Sequence, residues 1–230
     1  MKDGLVSIVI PVKDSERFLA ATLDSVRGQT YTHYEIIVVD GHSADRSVEI
    51  ALGYAARVIG QQSQGLAGAW NEGIAAAQGE FVAFLDSDDL WAPRKLALQV
   101  GYLEQHPAVQ FTVTLARFFL AEGAVLPPAF ERPGLLETAH VGPFPGNLLA
   151  RRSLFAAVGD FDPQLAIASD VEWFARVKDL GIPMAVIPET LLFKRLHEAN
   201  LSHGALSQAV WSREVVAVMK ASLDRQRGRQ

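Results

Sequence analysis

Three features are missing from the 230-residue chain, and each absence excludes a class of protein. It contains no cysteine, which excludes a disulfide framework, a thiolate metal site and a cysteine nucleophile, and is typical of a reducing compartment. It has no run of the roughly 18 apolar residues that a transmembrane helix needs. Its 26 acidic residues outnumber its 21 basic ones, so it lacks the basic excess that holds nucleic acid. We therefore expect a cytoplasmic protein with no nucleic-acid partner.

The first half of the chain alternates short apolar runs with segments of helical periodicity. The apolar run that begins near Leu5 is interpreted as a strand and not a signal peptide, because charged residues follow it at 13–17. Such alternation predicts a single α/β domain with a mostly parallel, mixed central sheet and helices on both faces. Strands are predicted at residues 6–11, 35–40, 57–59 and 81–85.

The second half is less regular. A helix is predicted after Pro93, and a strand within 109–119. Residues 120–145 are rich in proline and show no clear periodicity, so we expect a lid or an acceptor loop there. Two short strands are predicted around 184–187 and 191–195.

Three carboxylates follow the predicted strand at 81–85 within four residues: Asp86, Asp88 and Asp89. Ligand sites in open α/β sheets lie beyond the carboxyl ends of the strands, which is where we expect these acids. Because like charges this close repel one another, a cation or hydrogen-bond donors must offset them. Mg²⁺ or Mn²⁺, which prefer oxygen ligands, would do so. A solvated acidic turn is the plainer alternative, and it suits Asp89 best.

Asp40 ends the second predicted strand, next to the end of the first. Its carboxylate could accept hydrogen bonds from a nucleotide base, or it could cap the following turn. Pro11, Val12 and Asp14 would form the adjoining wall of the nucleotide-binding site. The glycine-rich stretch from Gly65 would let the backbone approach a nucleotide, although it matches neither a G-x-G-x-x-G fingerprint nor a Walker A motif.

Taken in order, these pieces resemble a family 2 glycosyltransferase of the GT-A type. The resemblance spans about residues 6–203 and implies a Rossmann-like GT-A fold. It implies that Asp40 contacts the nucleotide base, that Asp86 lies near the ribose and the metal, and that Asp88 binds the metal, with Ser87 between them in a D-x-D motif. The matching segments are 6–11, 38–40, 65–79, 81–89, 146–147, 159–162, 169–170 and 195–197. Further donor contacts are assigned to Pro11, Val12, Asp14, Gly65, Asn71, Ser87, Gly146, Asn147 and Arg195.

Three later residues complete the implied site. Asp170 stands where the family has its catalytic base, although Ser169 replaces the acid that often precedes it; a helix cap is the alternative for Asp170. His197 is similar to the late histidine that completes metal or diphosphate coordination, with a structural histidine as the alternative. Trp173 is the best placed tryptophan for an acceptor contact beside the proposed base, although packing is the usual role of such a residue.

The implied reaction transfers a sugar from a nucleotide-diphosphate sugar, UDP-linked in the first instance, to an acceptor nucleophile with inversion. Asp170 would be the base, and a divalent metal would stabilise the leaving diphosphate. One alternative is a non-catalytic sugar-nucleotide-binding or scaffold subunit, which Ser169 favours. The other is a nucleotidyltransferase, although its glycine- and arginine-rich first loop is missing here. The sugar, the base and the acceptor (a glycan, lipid-linked sugar, peptide or small molecule) stay open.

We expect one glycosyltransferase domain over residues 1–205, with a nucleotide-sugar-binding half at 1–90 and an acceptor half at 91–205. Residues 206–230 are predicted to form a C-terminal helix and a basic tail. Docking of this helix on its own domain is the ordinary expectation. Peripheral contact with the cytoplasmic face of a membrane, or with a second copy in a homodimer, is the alternative.

Overall fold

The computed structural model describes residues 2–126, 130–131, 133–142, 144–198, 200 and 205–228. A 3₁₀ turn, Pro145–Asn147, leads into the seventh strand. The strands are β1 (Lys2–Val12), β2 (Tyr34–Asp40), β3 (Arg57–Gly60), β4 (Gly79–Phe84), β5 (Leu90–Trp91), β6 (Phe111–Leu120), β7 (Leu149–Arg151) and β8 (Met184–Leu196). The helices are α1 (Leu19–Arg27), α2 (Ser47–Gly53), α3 (Gly65–Ala76), α4 (Lys95–Gln105), α5 (Ser153–Val158), α6 (Ser169–Asp179) and α7 (Ala205–Arg227).

All eight strands belong to one sheet, in the order β3-β2-β1-β4-β7-β6-β8-β5. The neighbours β3, β2, β1 and β4 are parallel, and so are β6 and β8. β7 pairs antiparallel with β4 and β6, and β5 pairs antiparallel with β8. The predicted α/β class with a mostly parallel, mixed sheet is confirmed.

Side chains of β1 enter two different cores. Val6, Ile8 and Ile10 are fully buried in a cluster with residues of α1, α2 and α4. Val9, also fully buried, belongs to a second cluster with residues of α3, α5 and α6. Because successive side chains of a strand point to opposite faces, this division shows that helices cover both faces of the sheet, as predicted.

The glycine-rich stretch that begins at Gly65 is helical from its first residue. Gly65 opens α3 with φ at +75°, a conformation that favours glycine. A Cβ atom at Gly73 would lie 2.1 Å from Cγ1 of Val9, so only glycine lets α3 lie this close to β1. Gly65 therefore allows α3 to begin, and Gly73 allows it to pack against β1.

The strands of the second half differ from prediction in three places, one of which is the three-residue strand β7, which was not predicted. The two short strands predicted around 184–187 and 191–195 are one 13-residue strand, β8. Its pairing with β6 skips Pro188 and Glu189, since Thr114 pairs with Ile187 and the next residue of β6 pairs beyond them. This irregularity hid the continuity of the strand. β5 was not predicted, because two residues carry no periodic pattern.

Part of the 120–145 segment packs against the sheet. Leu135 is buried in a small cluster with Phe118 of β6 and Leu196 of β8. His140 forms an isolated antiparallel bridge with β6. A lid or acceptor loop in this segment stays a prediction. Three of its prolines lie outside the described residues: Pro127, Pro128 and Pro143.

The C-terminal helix α7 docks on α6. Asp179, the last residue of α6, accepts hydrogen bonds from Ser222 Oγ at 2.8 Å, Arg225 Nε at 2.8 Å and Gln226 Nε2 at 2.9 Å. Contact of this helix with a membrane or a second copy, and the division of the chain at residue 205, stay predictions. Within the described ranges, no helix combines the length and the apolar character needed to cross a bilayer.

Candidate active site

The ends of β1, β2 and β4 bring predicted donor residues to one edge of the sheet. Val12 pairs with Asp40 in the register of β1 and β2. Val9 pairs with Phe84, the last residue of β4, so Asp86 lies just beyond the same edge. Ligands of open α/β sheets bind at such an edge.

The three acids lie together, with a lysine among them. One carboxylate oxygen from each of Asp86, Asp88 and Asp89 lies within 4.8 Å of the others. Lys194 Nζ, from β8, is 3.0 Å from Asp86 Oδ2 and 2.6 Å from Asp89 Oδ2. Burial alone would lower the pKa of Lys194, but the charges of the three acids outweigh it and raise the pKa above its ordinary value. The Lys194 ammonium therefore offsets part of the repulsion among the three acids, which a metal ion was expected to offset.

Asp89 is the most buried acid of the three, with 1% of its surface exposed. Besides pairing with Lys194, its carboxylate accepts the backbone N–H of Arg195 at 2.8 Å. Its backbone carbonyl accepts a hydrogen bond from Thr22 Oγ1 at 2.9 Å. The solvated turn offered as an alternative for Asp89 is thus wrong, because this side chain joins the β4–β5 turn to β8.

Asp88 is held by a histidine and an amide. Its Oδ2 is 2.9 Å from His197 Nε2 and accepts a hydrogen bond from Asn200 Nδ2 at 2.8 Å. Asn200 Oδ1 in turn accepts the backbone N–H of His197 at 2.7 Å. Burial would raise the pKa of Asp88, but the hydrogen bond with His197 and the charge of Lys194 outweigh it and lower the pKa. Two predicted metal ligands, Asp88 and His197, therefore lie side by side.

This donor set fits a hard divalent cation. Carboxylate oxygens are the ligands that Mg²⁺ and Mn²⁺ prefer, and such ions commonly use one or two carboxylates together with substrate phosphates. Asp86 and Asp88 offer oxygens within 4.8 Å of each other. His197 adds a ring nitrogen at hydrogen-bond distance from Asp88. Lys194 pairs with Asp86 and Asp89, and His197 and Asn200 pair with Asp88, so a metal ion bound at this cluster would replace some of these contacts.

Ser87 and Arg195, both predicted donor contacts, hold the loop that carries the acids. Ser87 Oγ is 2.8 Å from Ser15 Oγ, and the Ser87 carbonyl accepts a hydrogen bond from Thr22 Oγ1 at 2.9 Å. Arg195 Nε donates to the carbonyl of Asp88 at 2.8 Å. The role of Thr22 in holding this loop was not predicted, although a hydroxyl among the apolar residues of α1 could have indicated it. Direct contacts of Ser87 and Arg195 with a donor stay predictions.

Asp170 lies in the first turn of α6, close enough to Asp86 and Lys194 for their charges to act on its pKa. Its Oδ1 accepts the N–H of Val171 at 2.7 Å. Burial raises the pKa of Asp170 to about 7; the Val171 N–H opposes the rise and the charge of Asp86 adds to it. A carboxyl group with a pKa near 7 can take up and release a proton at neutral pH.

The loops after β1 and β2 are tied together on the predicted base-binding side. Asp40 is buried, and its two oxygens are 3.2 and 3.3 Å from the N–H of Ser43, which is long for such a bond. Asp14, with φ at +46°, accepts the N–H of Ala44 at 2.7 Å. Asp40 thus makes a loose turn cap, and base recognition by it stays a prediction. The other predicted wall residues, both buried in β1, are Pro11 and Val12.

The acceptor contact predicted at Trp173 is corrected by the packing of its side chain. Trp173 is fully buried, and its Nε1 donates to the carbonyl of Gly159 at 3.0 Å. Its ring stacks on Phe155, with the centroids 5.2 Å apart. It therefore presents no ring face to an acceptor and belongs to the core between α5 and α6.

Two amide side chains predicted as donor contacts bond groups of the protein itself, and a donor contact by the partly buried Asn71 stays a prediction. The Asn71 amide bonds both the backbone N–H and the carbonyl of Phe161, at 3.0 and 2.8 Å. Asn147 is fully buried, and its Nδ2 donates to a carbonyl of β6 at 2.8 Å. The nearby Gly146 carbonyl accepts the indole N–H of Trp91 at 2.8 Å. These groups hold the fold behind the site.

Comparison with known proteins identifies relatives of this chain. The model of the family described as Glycosyl transferase family 2 matches residues 7–158. An uncharacterized glycosyltransferase of Rickettsia typhi is 30% identical over 228 residues, which cover 90% of this chain and 70% of that protein. The Escherichia coli glucosyltransferase WfgD, named for transfer from UDP-Glc to GlcNAc-diphosphoundecaprenol, is 36% identical over 107 residues. That alignment covers 45% of this chain and 42% of WfgD.

Solved structures share the fold. S. aureus TarS in complex with UDP-GlcNAc aligns with a TM-score of 0.71 and 20% identity, over 96% of this chain and 66% of that one. Glucosyl-3-phosphoglycerate synthase from Mycobacterium tuberculosis, with Mn²⁺, UDP and phosphoglyceric acid, aligns with a TM-score of 0.68 and 22% identity, over 95% and 78%. The predicted GT-A fold and glycosyltransferase class are confirmed. The family match and the Rickettsia relative together show that this chain belongs to glycosyl transferase family 2, a family of glycosyltransferase enzymes.

Proposed function

We propose that this chain transfers a sugar from a nucleotide-diphosphate sugar, with UDP as the nucleotide, to an acceptor hydroxyl or other nucleophile with inversion at the anomeric carbon. Asp170 is the base, Asp88 and His197 are the principal metal ligands, and Asp40 recognises the nucleotide base. TarS and the synthase that share the fold were crystallised with UDP or UDP-GlcNAc, which supports the choice of donor. The acceptor stays open.

One observation carries the proposal: a metal-fitting pair and a carboxyl group with a near-neutral pKa occur at the same edge of the sheet. Asp88 and His197 are 2.9 Å apart, and Asp86 of the same cluster acts on Asp170 through its charge. A transferase of this kind needs a base on the acceptor side and positive charge on the diphosphate side. Asp170 meets the first need as the base, and the acid cluster with His197 would meet the second by holding a divalent cation.

The chain's own residues then act in sequence. The ionised Asp170 takes the proton from the acceptor nucleophile as the nucleophile attacks the anomeric carbon. The bond to the diphosphate oxygen breaks on the opposite face of the sugar, which inverts the configuration. Arg195 and Lys194 add positive charge on the leaving-group side of the acid cluster. Mn²⁺ or Mg²⁺ at Asp88 and His197 would supply Lewis-acid stabilisation of the leaving diphosphate.

Replacement of the base is the direct test. Asp170→Asn is expected to bind UDP with Mn²⁺ as the wild type does, and to lose at least tenfold in release of UDP from a UDP-sugar, because a proton acceptor is missing from the reaction. Calorimetry measures the first quantity and a UDP-release assay the second. Asp160→Asn, an exposed carboxylate in the loop before α6, is the matched control. Unchanged UDP release by Asp170→Asn would remove Asp170 from the mechanism.

The alternatives make different products. A nucleotidyltransferase would release pyrophosphate from UTP and a sugar phosphate, whereas the proposed enzyme releases UDP. A binding or scaffold subunit would bind UDP with Mn²⁺ and release nothing from any sugar nucleotide. A panel of UDP-, GDP- and dTDP-sugars, screened by thermal shift and then by nucleotide release, therefore separates the three functions and identifies the base without knowledge of the acceptor.

A further inference from the structure

The segment that leads into α6 is held by a side chain of the C-terminal helix. Glu214 of α7 is buried, with 8% of its surface exposed. Its Oε1 accepts the backbone N–H of Ala166 at 2.9 Å, and its Oε2 accepts those of Ile167 at 3.0 Å and Ala168 at 2.9 Å. Three successive N–H groups therefore converge on one carboxylate, an arrangement that suits an anion.

Glu214 bonds the backbone that leads into α6: the N–H of Ala168, the residue just before the first turn, and the N–H groups of the two residues before it. α6 begins after Ala168, whose side chain makes no capping hydrogen bond. Burial alone would raise the pKa of Glu214, but its three N–H partners outweigh it and lower the pKa below the ordinary value. Glu214 is therefore ionised near neutral pH, and hydrogen bonds to an ionised acceptor are the stronger kind. Negative charge is also favourable at the amino end of a helix.

The place of this contact gives it a consequence for the reaction. Asp170 is two residues beyond Ala168, in the first turn of the helix that follows the segment held by Glu214. The opposite end of α6 is joined to α7 by Asp179, which Ser222 and Arg225 contact. The same two helices thus meet at a contact next to Asp170 and at a contact three turns away from it.

We propose that Glu214 is a positioning residue for the base. By fixing residues 166–168 it holds the start of α6, and with it Asp170, in register with the acid cluster, so that α7 becomes part of the transfer machinery. The inference rests on the proposed role of Asp170. Since Glu214 acts through this backbone segment, loss of its carboxylate should reduce turnover and leave UDP binding intact.

The experiment compares the two ends of the α6–α7 contact. Glu214→Ala and Glu214→Gln test the end next to Asp170, and Asp179→Asn is the matched control at the other end. UDP affinity with Mn²⁺ is measured by calorimetry. Turnover is measured as nucleotide release from the sugar nucleotide that the wild type turns over fastest in the UDP-, GDP- and dTDP-sugar panel.

Glu214→Ala is expected to lower kcat at least tenfold while the KM for the sugar nucleotide and the Kd for UDP change less than twofold. Glu214→Gln is expected to retain an intermediate kcat, because one carbonyl oxygen can still accept. Asp179→Asn is expected to lower Tm and to keep kcat within twofold of the wild type. Wild-type kcat in Glu214→Ala, or an equal loss of kcat in Asp179→Asn, overturns the positioning role.

Two additions keep the outcomes distinct. If Glu214→Ala does not fold, Glu214→Gln decides by its kcat: a reduced value with unchanged UDP affinity supports the proposal, and a wild-type value overturns it. Asp170→Asn is measured in the same series. Full turnover by Asp170→Asn refutes the proposed base and the inference with it, whereas loss of turnover there, with wild-type turnover in the Glu214 variants, refutes the positioning role alone.

Discussion

Removal of the lysine inside the acid cluster should make the protein's stability depend on a metal ion. Lys194→Met keeps an unbranched apolar stem and deletes the ammonium that lies 3.0 Å from Asp86 and 2.6 Å from Asp89. Asp89 is 1% exposed, so water cannot readily replace the lost partner. The three acids of the cluster would then lie within 4.8 Å of one another without their internal cation.

The size of the effect follows from the burial of the pair. Breaking a buried ion pair by removing one partner costs about 3–5 kcal/mol. Lys194 is 20% exposed and Asp89 keeps the N–H of Arg195, so we expect a loss near the lower limit, about 3 kcal/mol, in the free energy of unfolding. A divalent ion at 100 times its Kd restores about 2.7 kcal/mol.

Urea unfolding in EDTA and in Mn²⁺ measures both quantities. Lys194→Met should be the less stable protein in EDTA and should gain more from Mn²⁺ than the wild type gains, because the ammonium no longer offsets the charge of Asp86 and Asp89. Lys178→Met, at an exposed position of α6, removes the same charge away from the cluster and should behave as the wild type does. Equal gains from Mn²⁺ in Lys194→Met and the wild type would refute the view that Lys194 and the metal neutralise the same acids.

Three further predictions concern the core and the base. Lys95 is fully buried and burial lowers its pKa, so between its folded and unfolded pKa values the unfolded state binds more protons. The free energy of unfolding should therefore rise toward pH 10 by up to about 1.4 kcal/mol per pH unit. Urea titrations at several pH values should show this slope in the wild type and lose it in Lys95→Met. The kcat/KM for nucleotide release should rise with pH through about 7 as Asp170 ionises, which initial rates from pH 5.5 to 8.5 check. Gly73→Ala should cost about 1–3 kcal/mol by overpacking Val9, and adding Val9→Ala should recover part of it in thermal unfolding.

Local patterns predicted the elements that carry their own signal. Each of the strands β1, β2 and β4 contains an apolar run, and the acids follow the last of these runs directly. The order of these strands and the edge at which the acids lie therefore follow from the rules of parallel α/β sheets. The continuity of β8 was missed, because Pro188 and Glu189 interrupt its pairing with β6. β5 is too short to carry a pattern.

Contacts between distant parts of the chain could not be read from sequence. Lys194 pairs with acids more than 100 residues earlier, because β8 runs beside β6 and reaches the β4–β5 turn. Glu214 bonds the backbone of a segment 46 to 48 residues away. Trp173 looked available beside Asp170, although helical spacing places it on the inner face of α6. The contacts of Lys194 and Glu214 follow only from the tertiary packing, whereas the burial of Trp173 could have been predicted from the spacing of Ser169, Trp173 and Val177.

The central claim, that Asp88 and a divalent ion together bind the diphosphate of a nucleotide sugar, is tested most directly by calorimetry of UDP. The wild type should bind UDP more tightly in Mn²⁺ than in EDTA, and Asp88→Ala should lose that difference while the control Asp160→Ala keeps it. Equal affinity of the wild type in Mn²⁺ and EDTA, or a full Mn²⁺ effect in Asp88→Ala, would contradict the account.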